Sequence, residues 1–97
     1  MAKGYWVTLY SEMRDPEKLA AYGTLAGPAI EAAGGRLLAR GVASYAFENG
    51  SIQRTVLIEF PSVEAAHAAH ESATYQAALA ALGDGASRDT RIVEGLE

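Results

Sequence analysis

Cysteine is absent from this chain, and its absence removes thiolate metal sites, disulfides and cysteine nucleophiles together. There is no run of basic residues, and the formal net charge is -4. Electrostatic binding to nucleic acid or to anionic lipid therefore has no support. No apolar run approaches the length of a membrane span. The first residues pass straight into Lys3-Gly-Tyr-Trp-Val7 without an apolar signal region or a cleavage site. A cytoplasmic location, with no nucleic-acid or membrane partner, is the expectation. Glycine-rich phosphate loops after a strand are missing too, because Gly34-Gly35 and Gly83-Asp84-Gly85 both follow helical patterns and match helix ends. No spacing supports a Ser/His/Asp triad. What is present, 49% hydrophobic and 21% charged residues in a chain of 97, is the composition of one globular domain spanning residues 1–97.

The local pattern divides the chain into six segments. Gly4 to Glu12 alternates as a strand. Asp15-Pro16 starts a helix, with Asp15 as the cap and Pro16 at the first helical position. Leu19, Tyr22, Ala26, Ile30 and Ala33 then recur at helical spacing. Gly27-Pro28 interrupts this stripe and is expected to kink or divide the helix, and Gly34-Gly35 ends it. Arg36 to Glu48 reads as a second strand with a bend at Gly41. Asn49-Gly50 reads as a type I′ hairpin turn into a third strand, Ile52 to Phe60. Ser62 caps a second helix that presents Val63, Ala66 and Ala69 inward, and a break near Ser72 precedes a further helical set of Tyr75, Ala78, Leu79 and Leu82. Asp89 to Glu94 is a short final strand.

Strand, helix, strand, strand, helix, strand is the order of an α+β ferredoxin-like βαββαβ domain: a four-stranded antiparallel sheet, the first and third strands central, helices on one face. Period-2 alternation assigns Val56, Ile58 and Phe60 to one face of the third strand and Leu57 and Glu59 to the other. With the first set, Tyr5, Val7 and Leu9 are expected beneath the helices. Trp6, Thr8, Tyr10, Leu57 and Glu59 are then expected on the open face. A patch of that kind covers on the order of 400 Å². Its burial between two copies would remove the cost of leaving it in water, so a homodimer through the open sheet face is expected.

Several side chains are candidates for chemistry. Glu59 sits in an apolar strand, where desolvation penalises its charge unless a cation or hydrogen-bond donors meet it. A carboxylate destabilised in this way can serve as a general base on a small acidic carbon or hydroxyl. The structural alternative is an ion pair with Arg40, Arg54 or Arg91. Arg40, beside Gly41, can bind a carboxylate bidentately; its structural alternative is the same ion pair or plain edge exposure. Tyr22 can point its hydroxyl into a cleft beside the sheet or sit in the core with one hydrogen bond. Trp6 and Tyr10 can line a pocket for an apolar or aromatic ligand, or pack in a dimer interface. His67 and His70, three apart on a helix, lack a third ligand at sensible spacing. Neither a metal nor a cofactor is implied.

Tyr5-Trp-Val, Pro28-Ala-Ile, Gly34-Gly-Arg36, Leu38-Ala-Arg-Gly41, Val56-Leu-Ile-Glu-Phe-Pro-Ser62, Tyr75-Gln76 and Ile92-Val-Glu-Gly95 form an ordered series. It resembles the small proteins of the domain-of-unknown-function 1330 family, from about Tyr5 to Gly95. That family is similar to the dimeric α/β-barrel superfamily, in which two ferredoxin-like sheets close into a barrel. The resemblance implies the same fold and a dimer; it implies no reaction, since the family has no established activity and catalytic residues differ between superfamily branches. The chain departs from the family at Ser72-Ala-Thr-Tyr75, where Ser-Pro-Glu-Tyr is usual, so an acid there is missing.

Two functions are consistent with these residues. One is a homodimer that binds a small anionic or carbonyl-bearing metabolite in a cleft beside the sheet. There Arg40, Tyr22, Trp6 and Tyr10 would contact the ligand, and Glu59 as base with Arg40 as anion stabiliser would allow cofactor-less catalysis. The other is a non-catalytic assembly domain whose charged groups are interface ion pairs. Replacing Arg40 with Ala separates them: the first predicts lost ligand binding with the dimer intact, the second a weakened dimer.

Overall fold

Residues 2–96 are described by the computed structural model, and within them local chemistry sets most element ends. Strand β1 (Gly4–Met13) leads into helix α1 (Pro16–Ala32), capped by Asp15, whose carboxylate accepts from the backbone N–H groups of Glu17 at 3.0 Å and Lys18 at 3.3 Å. At the other end Gly34 takes φ +93°. Its N–H bonds to the Glu31 carbonyl at 3.0 Å, and that of Gly35 to the Ile30 carbonyl at 2.9 Å, the paired closure that glycine permits after a helix. Strands β2 (Arg36–Val42) and β3 (Arg54–Phe60) follow, then α2 (Val63–Glu71), α3 (Ala73–Leu82) and β4 (Ala86–Glu94). Ser72 ends α2 and starts α3, its hydroxyl donating to the Ala69 carbonyl at 2.7 Å and accepting from the Tyr75 N–H at 3.2 Å. Helix α1 is not divided at Pro28; the ring removes one backbone donor but the helix continues on both sides.

The four strands form one antiparallel sheet in the order β2-β3-β1-β4, with β1 and β3 central and the helices on one face. The fold is the ferredoxin-like α+β arrangement expected from the element order. The face assignment of β1 is the opposite of the expected one. Trp6 lies directly across from Ile58, and Thr8 from Val56. Paired residues share a face, so Trp6, Thr8 and Tyr10 point toward the helices with Val56, Ile58 and Phe60. Trp6 is 1% exposed, stacked on Phe60 at 5.9 Å between ring centroids and edge-on to Tyr75 at 5.0 Å. Tyr5, Val7 and Leu9 occupy the open face with Leu57 and Glu59. Both sets of β1 alternate as apolar residues, so alternation alone left the choice undetermined. The size of the indole decided it, because only the helix-covered side can bury a ring of that area.

The second strand is shorter than expected. It stops at Val42, and the segment beyond is exposed, with Tyr45 and Phe47 at 81% and 77%. The turn that returns the chain is closed by Gly50 N–H to the Phe47 carbonyl at 2.8 Å. Its central residues are therefore Glu48, at φ +56°, and Asn49. The expected centre at Asn49-Gly50 is displaced by one residue. In β2 a register shift lies between Leu37 and Ala39. The extra residue, Leu38, puts Leu37 and Arg40 on the same, helix-covered face although they are three apart.

Gly35 marks a close approach between α1 and the sheet. A Cβ there would stand 2.5 Å from Ile30 Cγ2 and 2.8 Å from Phe60 Cζ, inside van der Waals contact. Gly35→Ala is expected to cost about 1–3 kcal/mol, the usual range for overpacking, measured as a lower urea midpoint at unchanged slope. An unchanged midpoint would show that this contact relaxes freely.

Candidate functional site

Helix α1 packs chiefly against α3 rather than on the strands beneath it. Tyr22 of α1 and Tyr75 of α3 join the two helices through a 2.7 Å hydroxyl pair and edge-on rings 6.0 Å apart. The space left between α1 and the sheet is a cavity of about 530 Å³, within the range of small-ligand sites. Trp6, Thr8, Tyr10, Val56 and Ile58 form its sheet wall, and Leu19, Tyr22, Ala26 and Ile30 its helix wall. Gly23 and Gly27, one helical turn apart on α1, border the same space, and a Cβ on either would meet nothing within 4 Å. Each glycine weakens the helix by roughly 0.5–1 kcal/mol relative to alanine, and in return the cavity wall stays free of side chains there.

Four arginines border this cavity: Arg36, which is paired with Glu59 at 3.6 Å, and Arg40, Arg54 and Arg88. None of the last three has an ion-pair partner among the described residues. Two of them meet at Tyr10, with the guanidinium carbon of Arg54 5.7 Å and that of Arg88 5.6 Å from the ring centroid. Arg88 also lies 4.6 Å above the Tyr22 ring and donates to the Tyr10 hydroxyl at 3.5 Å. The Arg54 Nε is buried without a hydrogen-bond partner. Aromatic faces favour cations, but guanidinium groups flanking one ring still repel one another unless an anion joins them. Burial works against the charge of Arg88; the Tyr22 and Tyr10 hydroxyls outweigh it and hold the group above its ordinary pKa. Burial, reinforced by the bond to Tyr22, raises the Tyr75 phenol well above its ordinary value, so that hydroxyl stays protonated. Glu31 is the one carboxylate bordering the cavity among the described residues, and it is exposed.

The structure brings together four of the five side chains singled out from the sequence: Trp6, Tyr10, Tyr22 and Arg40 all border the cavity. Trp6 and Tyr10 do so from the helix-covered face, not from the open face on which alternation placed them. Glu59 is not among them. It faces the other side of the sheet, where Lys3 Nζ at 3.4 Å, Arg36 Nη2 at 3.6 Å and the Tyr5 hydroxyl at 3.3 Å surround its carboxylate. Glu59 and Arg40 therefore project from opposite faces and do not meet. The suggested partners Arg40 and Arg54 lie on the cavity side, and Arg91 pairs with its strand neighbour Asp89 at 2.8 Å. His70 packs on Trp6 at 5.6 Å and its Nδ1 lies 2.7 Å from Glu71, whereas His67 is exposed; the pair does not converge.

Arg54 and Arg88 were missed as site residues. Arg54 shares the parity of Val56, Ile58 and Phe60, which could have marked it as cavity-facing. Arg88 lay outside the expected last strand, which begins at Ala86 rather than Asp89.

The two tyrosine hydroxyls differ in what their removal leaves behind. Tyr22→Phe strands the Tyr75 hydroxyl, 1% exposed, without a partner among the described residues, a loss of about 1–3 kcal/mol. Tyr75→Phe removes the same bond but leaves the Tyr22 hydroxyl at the cavity, where water can reach it, at about 1 kcal/mol or less beyond the common packing change. Urea unfolding that ranks Tyr75→Phe as the more damaging variant refutes this reading of the pair.

Comparison with known proteins gives a fold and a family. A protein of unknown function from Rhodopseudomonas palustris is similar over 99% of this chain and 84% of its own, at TM-score 0.74 and 19% identity. SnoaB, a cofactor-independent oxygenase from Streptomyces nogalater, is similar over 100% of this chain and 96% of its own, at TM-score 0.68 and 10% identity. A dimeric ferredoxin-like protein of unknown function from Thermobifida fusca is similar over 96% of this chain and 89% of its own, at TM-score 0.62 and 17% identity. At these identities the likeness is one of fold. No curated protein matches the chain. The family model described as Domain of unknown function (DUF1330) matches residues 3–96, and the chain belongs to that family.

Proposed function

We propose that this protein binds a small anionic metabolite, a carboxylate or a carbonyl-bearing acid, in the cavity between α1 and the sheet. Arg40, Arg54 and Arg88 are its anion contacts, and Trp6, Tyr10 and Tyr22 its walls. The observation that supports this reading is the convergence of three guanidinium groups without ion-pair partners among the described residues on one cavity in a chain of net charge -4. Guanidinium is the cation best shaped for a carboxylate. The fold neighbour SnoaB is an oxygenase that works without a cofactor, which agrees with a cofactor-free small-molecule site here. Glu59 has no part in the proposal as a base, since its carboxylate lies on the far face among Lys3, Arg36 and Tyr5. The function put forward is recognition of an anion.

The open face supports a second element, a homodimer formed sheet to sheet. Tyr5, Val7, Leu9, Leu57 and Val93 are the apolar groups of that face by cross-strand register. Leu9 and Val93 are 42% and 56% exposed. Burying them against a second copy contributes about 25 cal/mol per Å² of apolar area, and one fold neighbour is dimeric. Glu59, with Lys3 and Arg36 beside it, would then lie in the interface as an ion-pair group.

Two measurements test these elements. Thermal unfolding in the presence of anionic, neutral and cationic small metabolites is expected to show stabilisation by anions alone. At a hundredfold excess over Kd the gain is about 2.7 kcal/mol, roughly 10 °C or more for a domain of this size. Arg54→Gln and Arg40→Ala are expected to remove it. Equal stabilisation by a cationic set, or none by any anion, would sink the proposal. For the dimer, sedimentation at micromolar concentration is expected to give twice the chain mass, falling to one chain mass for Leu57→Lys. A wild-type monomer under those conditions removes the interface.

A further inference from the structure

The cavity is not uniform along its length, and its asymmetry specifies the ligand further; this step rests on the reading of the cavity as a small-molecule site. Cross-strand register divides the floor into successive rows. In the first, Trp6 lies across from Ile58 and Ile92, with Leu37 beyond Ile58. Ile30 of α1 and Gly35 lie at the same end, since Gly35 sits against Ile30 and Phe60. These side chains are apolar; Glu31 and Arg36, the chain neighbours of Ile30 and Gly35, border the cavity beside them. The middle row holds Thr8, Val56 and Arg40. The Thr8 hydroxyl accepts from Trp6 Nε1 at 2.8 Å and shares a 3.1 Å hydrogen bond with the Thr90 hydroxyl. In the last row Tyr10 lies across from Arg88, and Arg54 stands beside it. Leu19 and Tyr22, from the start of α1, cover that end. The arginines without ion-pair partners among the described residues are thus gathered at the Tyr10 end and its edge, while the Trp6 end is mainly apolar, and its bordering Arg36 is paired with Glu59 at 3.6 Å.

We infer that the cavity takes a monoanionic amphipathic acid: a carboxylate head between Arg54 and Arg88 against Tyr10, reached by Arg40 from the edge strand, and an apolar body lying over Trp6, Ile58 and Leu37. A head there joins two guanidinium groups that otherwise repel each other. A polar or charged tail is disfavoured twice. It would be desolvated against Trp6 and Ile58, and a second carboxylate would approach Glu31, which borders the cavity. Orientation follows from the same asymmetry, since reversing the ligand places its carboxylate against Ile30, Leu37 and Ile58, where the guanidinium of Arg36 is already paired with Glu59.

Trp6 is the single tryptophan of the chain and borders the cavity, so its fluorescence reports occupancy directly. The probes are butanoate, hexanoate and octanoate, with octanamide and glutarate as the uncharged and doubly charged controls. Each added methylene is expected to tighten binding about fourfold until the apolar end is filled. Octanamide is expected to bind at least about tenfold more weakly than octanoate, for want of the charge-assisted bonds. Arg54→Gln, or Arg40→Gln should the first variant fold poorly, weakens octanoate and glutarate together. Leu37→Asn, at a position 45% exposed and so tolerant of change, weakens octanoate and leaves glutarate unchanged. If affinity is flat with chain length while glutarate binds well, the amphipathic assignment is overturned and the anion site survives. If octanamide matches octanoate, the arginines are not the head site and both readings fail. If no probe alters Trp6 fluorescence or the melting temperature at millimolar concentration, both fail as well.

Discussion

The burial of Trp6 against Phe60 and Tyr75 is the contact on which the remaining structure depends. An indole brings more apolar area than any other side chain of β1, and the helix-covered face is the only place in one chain where that area leaves water. Once Trp6 is there, pleat and register send Thr8 and Tyr10 to the same side and Tyr5, Val7 and Leu9 to the other. The cavity floor and the open face are both consequences of that single choice.

The cavity itself depends on how α1 is held. Tyr22 and Tyr75 tie α1 to α3, so the helix leans on its neighbour and stands off the outer half of the sheet. Gly23 and Gly27 keep its underside bare. A tighter arrangement would bring α1 down onto β2 and β3, where Arg40 and Arg54 project, and burying those cations under a helix would cost far more than the apolar contact would return. The arginines and the gap above them are therefore mutually consistent. Charges that cannot be covered hold a space open, and that space is then suited to an anion.

Much of this was legible from residue order alone. Asp15-Pro16, Gly34-Gly35, Ser62 and Ser72 act locally, through hydrogen bonds within a turn or through backbone conformations few residues tolerate. They define their helix ends in the structure as they do on paper. The element order specified the ferredoxin-like sheet, and Tyr22 and Arg40 were recognisable as polar groups in apolar surroundings. Where the reading failed, a longer-range fact was missing. β2 stops at Val42, short of the Glu48 that its sequence pattern suggested. Glu59 found its partners in Lys3 and Arg36, and Arg36 was not among the arginines weighed for that role.

The sequence by itself determined where the helices begin and end, which strand face of β3 is core, and that one sheet face would lack helices. These depend on local backbone chemistry and on apolar periodicity, both written into neighbouring residues. Only the tertiary structure decided which side of β1 faces inward and which arginines share a site. β1 is apolar on both faces, so its orientation required a partner strand in register. Leu37 and Arg40 share a face only because a bulge at Leu38 rephases β2, and Arg54 and Arg88 meet at Tyr10 from strands that are far apart in the chain. Such coincidences arise from pairing across the sheet, which no single segment encodes.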